Sequence, residues 1–268
     1  MSISLFQIDA FTSTPFAGNP AGVCLLASPA DERWMAAVAR ETNLPATAFV
    51  HPSGNGFGIR WFTATTELKL CGHGTLASAH VLYETGRVQP HDPIRFESRD
   101  GALTATVCDG WVELDFPAIP QVRIDPPPGL LEALGVPALY VGKGRLDCIV
   151  EVESEAAVRA VKPDLARLRQ VDTRGAIVTS RSETSERDFV SRFFAPSTGI
   201  NEDFVTGSAH CCLTPFWAER LGKTSLIAHQ LSERGGVLRT RVAGDRVRLA
   251  GQAVTVIQGQ LRAQPSQG

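Results

Sequence analysis

The sequence predicts an α+β fold of two similar domains, each a curled, mostly antiparallel sheet around a central helix. Three observations lead there. First, two glycine-punctuated polar turns each run straight into an apolar helical segment. They are Glu67-Leu-Lys-Leu-Cys71-Gly72-His73-Gly74-Thr75 and Glu202-Asp203-Phe204-Val205-Thr206-Gly207-Ser208. Second, both are followed by short alternating segments bounded by turn residues, the pattern of curled antiparallel sheets. Third, the flanking residues repeat. Arg60-Trp-Phe-Thr precedes Glu67 by seven residues and Arg192-Phe-Phe-Ala precedes Glu202 by ten. A glycine follows each Glu after five residues (Gly72, Gly207), and a second Glu (Glu84, Glu219) lies at the same offset further on. Matching strand–loop–helix units at this separation read as a duplicated fold.

In chain order, residues 3–8 and 22–26 read as strands on either side of a loop rich in Gly, Pro, Ser and Thr that contains Gly18 and Asn19. Asp31 is placed to cap a helix through about residue 40. Strands follow after Ala46 and over 58–63, then the first central helix to Gly86. Three strands over 94–98, 103–108 and 111–116 complete the half. The proline-rich stretch 117–128 reads as a connector, so the domains are 1–118 and 119–268. In the second half a short helix over 129–134 leads to strands at 139–141 and 147–152. A polar helical region spans about 155–168, and strands lie at 176–179 and 189–194. The second central helix carries Pro215, which removes one backbone bond. The tail forms strands near 227–231, 237–242, 247–249 and 253–258.

Composition narrows the function. The chain of 268 residues is 43% hydrophobic and 20% charged with a formal net charge of −2. That is enough apolar material for a full core and no basic surface for nucleic acid or an anionic membrane. No apolar stretch reaches the length of a membrane span. The N-terminus lacks a basic region followed by an apolar block, so the chain is expected to be cytoplasmic. The six cysteines form no CxxC pair; all except Cys71 read as buried free thiols. The histidines show no metal-ligand spacing, so neither metal nor cofactor is expected.

The chemistry points to the two turns. A bare helix N-terminus offers backbone N–H groups and a dipole to an anion, and the glycines let it come close. A carboxylate held by both turns is stabilised as charge builds up when a proton leaves the neighbouring carbon. This favours epimerisation, isomerisation or dehydration. Cys71 is placed as a base, because a helix N-terminus lowers a thiol's pKa. The matching position in the second half is Thr206, so a symmetric two-thiol racemase is not expected. His73 and Asp203 are the other titratable groups at the turns, Asp203 also being a candidate helix cap. His51, His80, His91, His210 and His229 read as structural or surface residues. Glu67 and Glu202 read as rim charges or orienters.

Asp9-Ala-Phe-Thr…Pro-Phe-Ala-Gly-Asn-Pro-Ala, the stretch Glu67–His80, Arg192-Phe-Phe-Ala-Pro, Glu202–His210 and Gln230-Leu-Ser-Glu-Arg-Gly-Gly resemble the PhzF-like phenazine biosynthesis proteins, over about residues 5–260. The resemblance implies the diaminopimelate-epimerase-like fold, an active site between the two domains and a homodimer. It implies isomerisation of trans-2,3-dihydro-3-hydroxyanthranilate, in which a glutamate moves a proton between ring carbons. His73 and Asp203 match the assisting histidine and aspartate, and Gly72, Gly207 and Ser208 match the substrate-carboxylate cradle, with Gly74 beside them. Asn19 falls in the matching N-terminal loop. The glutamate does not match: the segment usually reads Asn-Leu-Ser/Pro-Glu-Thr, and here Ala46 stands at the acid/base position. Glu41, five residues back, is displaced by about 15 Å of extended chain. Phe204 stands where the family usually has Pro. Three readings follow: an isomerase or epimerase of a small carboxylate using Cys71, His73 or Asp203; a binder of a carboxylate that does not turn it over; or an ordinary family member in which Ala46 is a substituted residue.

Overall fold

The computed structural model describes residues 2–89, 91–263 and 265. It divides into two compact units, residues 1–115 with 250–268, and residues 116–249. Each is built as a mixed sheet with a helix that has almost no exposed side.

In the first unit β1 (Ile3–Ala10) pairs antiparallel with β2 (Asn19–Leu25), and β2 runs parallel to β3 (Ala46–Ser53) by way of helix α1 (Glu32–Thr42). β3 pairs antiparallel with β4 (Gly56–Phe62), and β4 pairs antiparallel with the two-residue β5 (Glu67–Leu68). Helix α2 (Gly72–Glu84) leads on to β6 (Ile94–Ser98), which lies parallel to β4 and antiparallel to β7 (Gly101–Cys108). β7 continues antiparallel to β8, which starts at Trp111.

The second unit repeats this wiring after the short β9 (Val122–Arg123). β10 (Tyr140–Lys143) pairs antiparallel with β11 (Asp147–Glu151), and β11 lies parallel to β12 (Gly175–Arg181). β12 pairs antiparallel with β13 (Phe189–Ala195), and β13 with the short β14 (Ile200–Asp203). After the second central helix, β15 (Ser225–Gln230) lies parallel to β13 and antiparallel to β16 (Gly236–Ala243). Six pairings in a row agree in order and sense, so the duplication read from the sequence is a feature of the topology. β17 (Arg246–Gly251) follows. The last strand, β18 (Ala253–Leu261), pairs antiparallel with β1 from Ile3↔Leu261 to Ala10↔Ala253. The C-terminal segment, assigned from the sequence to the second domain, is thus held in the first unit by a full ladder. Contacts of this range leave no local signal in the sequence.

The helices differ by what they face. α1 is amphipathic. Asp31 caps it, accepting from the amides of Arg33 at 2.9 Å and Trp34 at 3.2 Å, and it buries Met35, Val38 and Ala39. α2 is buried on every side, from His73 through Ala79 and again at Val81 and Leu82. The second central helix, Gly207–Leu221, runs through Pro215 and buries Ala209 through Thr214 without a break. A helix enclosed in this way cannot carry charged residues along its length, which is why both segments read as apolar. The polar region over 155–168 forms two helices, α3 of this unit (Leu130–Leu134) being followed by α4 (Glu155–Ala160) and α5 (Leu165–Leu168). Pro163, which lacks an N–H and restricts the residue before it, accounts for the break. The second central helix is therefore α6.

α6 holds a fully buried histidine. The Nδ1–H of His210 donates to the Thr206 carbonyl at 2.8 Å, and Nε2 has no hydrogen-bond partner among the described residues. The ring lies 5.9 Å from Phe189. Burial lowers the His210 pKa to about 4. The unfolded chain therefore takes up this proton near pH 6.5 and the folded chain only near pH 4, so stability falls as the pH drops through that window. Denaturant unfolding at pH 7 and pH 4 should show the wild type losing on the order of 3 kcal/mol more than His210→Gln, which does not titrate. Parallel losses in the two proteins would refute it.

Candidate active site

Two arginine–glutamate clamps lead into the two helix starts. Arg60 on β4 donates from Nε to Glu67 Oε1 at 2.6 Å and from Nη2 to Oε2 at 2.7 Å. Arg192 on β13 donates from Nε to Glu202 Oε1 at 2.7 Å and from Nη2 to Oε2 at 2.8 Å. Each guanidinium also lies over the phenylalanine two residues on, 5.1 Å from Phe62 and 4.8 Å from Phe194. Glu67 and Glu202 are thus orienters of the loop that ends at the helix start. A fork–fork pair fixes both position and rotation, which a lysine does not.

At the start of α2 the N-cap is Cys71, in extended backbone (φ −141°, ψ 100°), and its side chain makes no capping bond. The first intrahelical acceptors serve Thr75, whose amide bonds to the Cys71 carbonyl at 3.0 Å. The amides of Gly72, His73 and Gly74 have no acceptor within the helix. The Cys71 sulfur lies 3.6 Å from His73 Nδ1 and 3.8 Å from Nε2. Both residues are buried, at 4% and 9% exposure. Gly74 makes this contact fit: a Cβ there would lie 2.9 Å from Trp61 Cδ1 and 3.0 Å from the Cys71 sulfur. The thiol–imidazole pair therefore sits against the positive end of a buried helix.

The other candidates in this unit lie at strand starts. Asn19 opens β2, is fully buried and stands opposite Ala10. The turn before it is held by Asp9, whose Oδ2 accepts the Phe16 amide at 2.7 Å. Gly18 adopts φ +66°, and a Cβ there would lie 2.2 Å from the Ala10 carbonyl oxygen, so glycine is required. Ala46 opens β3, is fully buried and stands opposite Ala21, two residues beyond Asn19. It brings no titratable atom to that strand end. Glu41 lies in the last turn of α1 and is exposed.

At the start of α6 the N-cap is Thr206 (φ −113°, ψ 102°), again with no side-chain cap. Asp203 is not the cap. Its Oδ2 accepts a hydrogen bond from Thr206 Oγ1 at 2.7 Å. Gln230, 1% exposed, holds the turn: its Oε1 accepts the Thr206 amide at 2.9 Å, and its Nε2 donates to the Asp203 carbonyl at 2.7 Å and to Thr206 Oγ1 at 3.2 Å. Ser208 is held from another direction. Arg174 forks onto the buried Asp147, with Nε 2.8 Å from Oδ1 and Nη2 on Oδ2, and Nη2 also donates to Ser208 Oγ at 3.0 Å. A serine oxygen that accepts from a cation keeps its own proton for another acceptor.

The structure thus gathers Cys71, Gly72, His73 and Gly74 at one helix start, and Asp203, Gly207 and Ser208 at the other. Sequence reasoning missed Arg174 and Asp147, which lie in no motif, and gave Gln230 no role although its motif was noted. The remaining cysteines separate clearly. Burial pushes the thiols of Cys24, Cys211 and Cys212 up to about 12 and raises that of Cys148, so they stay protonated. Cys108, expected to be buried, is exposed at the end of β7, where strand alternation turns it outward. Among the described residues no cluster of three His, Cys, Asp or Glu could hold a metal, and no helix is long and apolar enough to cross a membrane.

Comparison with known proteins agrees with the topology. The family model for phenazine biosynthesis-like proteins matches residues 8–259. An uncharacterized isomerase of Halalkalibacterium halodurans is 48% identical over 262 residues, covering 97% of this chain and 99% of that protein. The crystal structure of a PhzF-family protein of Enterococcus faecalis has a TM-score of 0.94 at 39% identity, covering 98% of this chain and 100% of that one. A probable proline racemase of Agrobacterium radiobacter shares the fold alone, with a TM-score of 0.66 at 12% identity. The chain belongs to the PhzF-like phenazine biosynthesis family, with its mixed α+β, diaminopimelate-epimerase-like fold.

Proposed function

We propose that this protein is an isomerase or epimerase that moves a proton on a small carboxylate-bearing substrate. The observation that carries the reading is the Cys71–His73 contact of 3.6 Å at an uncapped helix start. Membership of a family whose relatives include proteins described as isomerases supports it. The amides of Gly72–Gly74, with Asn19 in the same unit, are suited to hold the substrate carboxylate, and those of Gly207–Ser208 offer the same kind of donor in the second unit. A base removes a proton from the carbon beside the carboxylate, or from a carbon joined to it through conjugated double bonds, and the bonding pair moves onto the carboxylate oxygens. The N–H groups stabilise that charge as it develops. Return of the proton to the same carbon gives epimerisation, and return to a conjugated carbon gives isomerisation.

Ala46 stands where the family usually carries its acid/base glutamate. Proton transfer therefore falls to Cys71, His73 and Asp203. The buried methyl of Ala46 also favours a second reading, in which the protein binds a carboxylate without turning it over.

Deuterium exchange separates the two. The wild type in D₂O, offered trans-2,3-dihydro-3-hydroxyanthranilate or L-proline, should incorporate deuterium beside the carboxylate, read by NMR. Cys71→Ala and His73→Ala should each slow this by about 100-fold. A melting temperature raised by either compound, with no exchange over hours, would leave only the binding reading standing. Ala46→Glu makes a further prediction: turnover of the dihydro-hydroxyanthranilate should rise by about 100-fold or more. An unchanged rate would mean that position 46 is not where this pocket transfers its proton.

A further inference from the structure

We infer that Thr206 and Gln230 are positioning residues for Asp203, an assignment that rests on Asp203 handling a proton as proposed above. The hydrogen-bond directions follow from donor and acceptor chemistry alone. The Thr206 backbone N–H can only donate, so the Gln230 atom 2.9 Å away is its carbonyl oxygen. That fixes the rotation of the Gln230 amide. Its NH₂ group must then face the Asp203 carbonyl oxygen at 2.7 Å and Thr206 Oγ1 at 3.2 Å. Thr206 Oγ1 accepts from this NH₂, so its single proton is directed to Asp203 Oδ2 at 2.7 Å. One carboxylate oxygen is thereby tied and the plane of the carboxylate is set.

An ordinary N-cap threonine turns its oxygen onto the amides of its own helix. Thr206 does not. The equivalent residue of the other unit, Cys71, does not either, and its sulfur meets His73 instead. In both units the N-cap side chain meets a titratable side chain instead of capping the helix amides. The titratable group is met by a hydroxyl in one unit and a thiol in the other. Gln230, nearly fully buried, accepts the amide of Thr206 itself, the backbone donor that an N3 side chain takes in a capping box.

The test compares Thr206→Val, which keeps the shape and removes the donor, with Thr206→Ser, which keeps the donor. Deuterium exchange into the compound that the wild type turns over is the readout, split into kcat and KM, with melting temperature followed in parallel. Positioning predicts that Thr206→Val lowers kcat by about 10-fold to 100-fold with KM within about 3-fold, and that Thr206→Ser retains most of kcat. Gln230→Leu should lower kcat as well, and adding Thr206→Val to it should cost little more, since both act through one carboxylate. Full kcat in Thr206→Val would overturn the assignment while leaving the isomerase reading intact. So would equal losses in the Val and Ser variants that track melting temperature. Absence of exchange in the wild type would overturn the isomerase reading and this assignment with it.

Discussion

Each unit depends on a helix without a solvent face. Once α2 and α6 are enclosed, their lengths can hold only apolar or internally satisfied side chains. Thr75 and Ser78 show the second solution: each donates its hydroxyl to a carbonyl four residues back, at 2.7 Å. Thr214 does the same to His210 at 2.6 Å. With the helix walls closed to polar chemistry, the polar chemistry of each helix is concentrated at its first turn. There the amides lack intrahelical acceptors and the dipole ends in positive charge. The glycine at 74 follows from the same constraint, because a side chain there would displace Trp61 and the Cys71 sulfur.

A helix start is useful only if the loop before it is fixed, and the arginine–glutamate clamps fix it. In the second unit the clamp also ties in a third element. Arg192 Nη1 donates to the carbonyls of Val158, Arg159 and Val161 at 2.8–3.4 Å, at the end of α4 where carbonyls run out of intrahelical donors. In the first unit Glu32, in the first turn of α1, receives Arg60 at 2.7 Å and Arg99 at 3.1 Å. Each clamp thus joins the strand before the central helix to the end of another helix. The partners differ because the crossover helices differ, but the Arg–Glu fork is kept in both.

These features were unevenly legible in the sequence. The central helices, the matched Arg and Glu positions and the glycine turns were readable because each leaves a local pattern. The two-residue strands β5 and β9 were not, since so short a segment carries no alternation. The pairing of β18 with β1 joins opposite ends of the chain, a range at which the sequence carries no local signal. The site was legible where its residues stand in motifs, as with Cys71, His73 and Asp203. It was illegible where a side chain from a distant strand braces them. Arg174 lies 34 positions before Ser208, and Gln230 lies 24 positions after Thr206. Nothing local marks an arginine as the partner of a serine on another element. Asp203 was readable as a possible cap, but only the geometry shows that the cap residue donates to it.

The duplicated topology has kept its framework and changed its chemistry. The clamps, the extended N-cap backbone and the bare first turn occur twice, so the scaffold is symmetric in its kind. The groups it presents are not. One start carries a thiol against an imidazole, and the other a hydroxyl against a carboxylate. A thiol–imidazole pair and a braced carboxylate differ in chemistry and in geometry, so the two helix starts are not interchangeable. Thr206 makes this difference structural rather than incidental. Its oxygen is engaged with both Gln230 and Asp203, so exchanging it for a sulfur would break the turn that holds the aspartate.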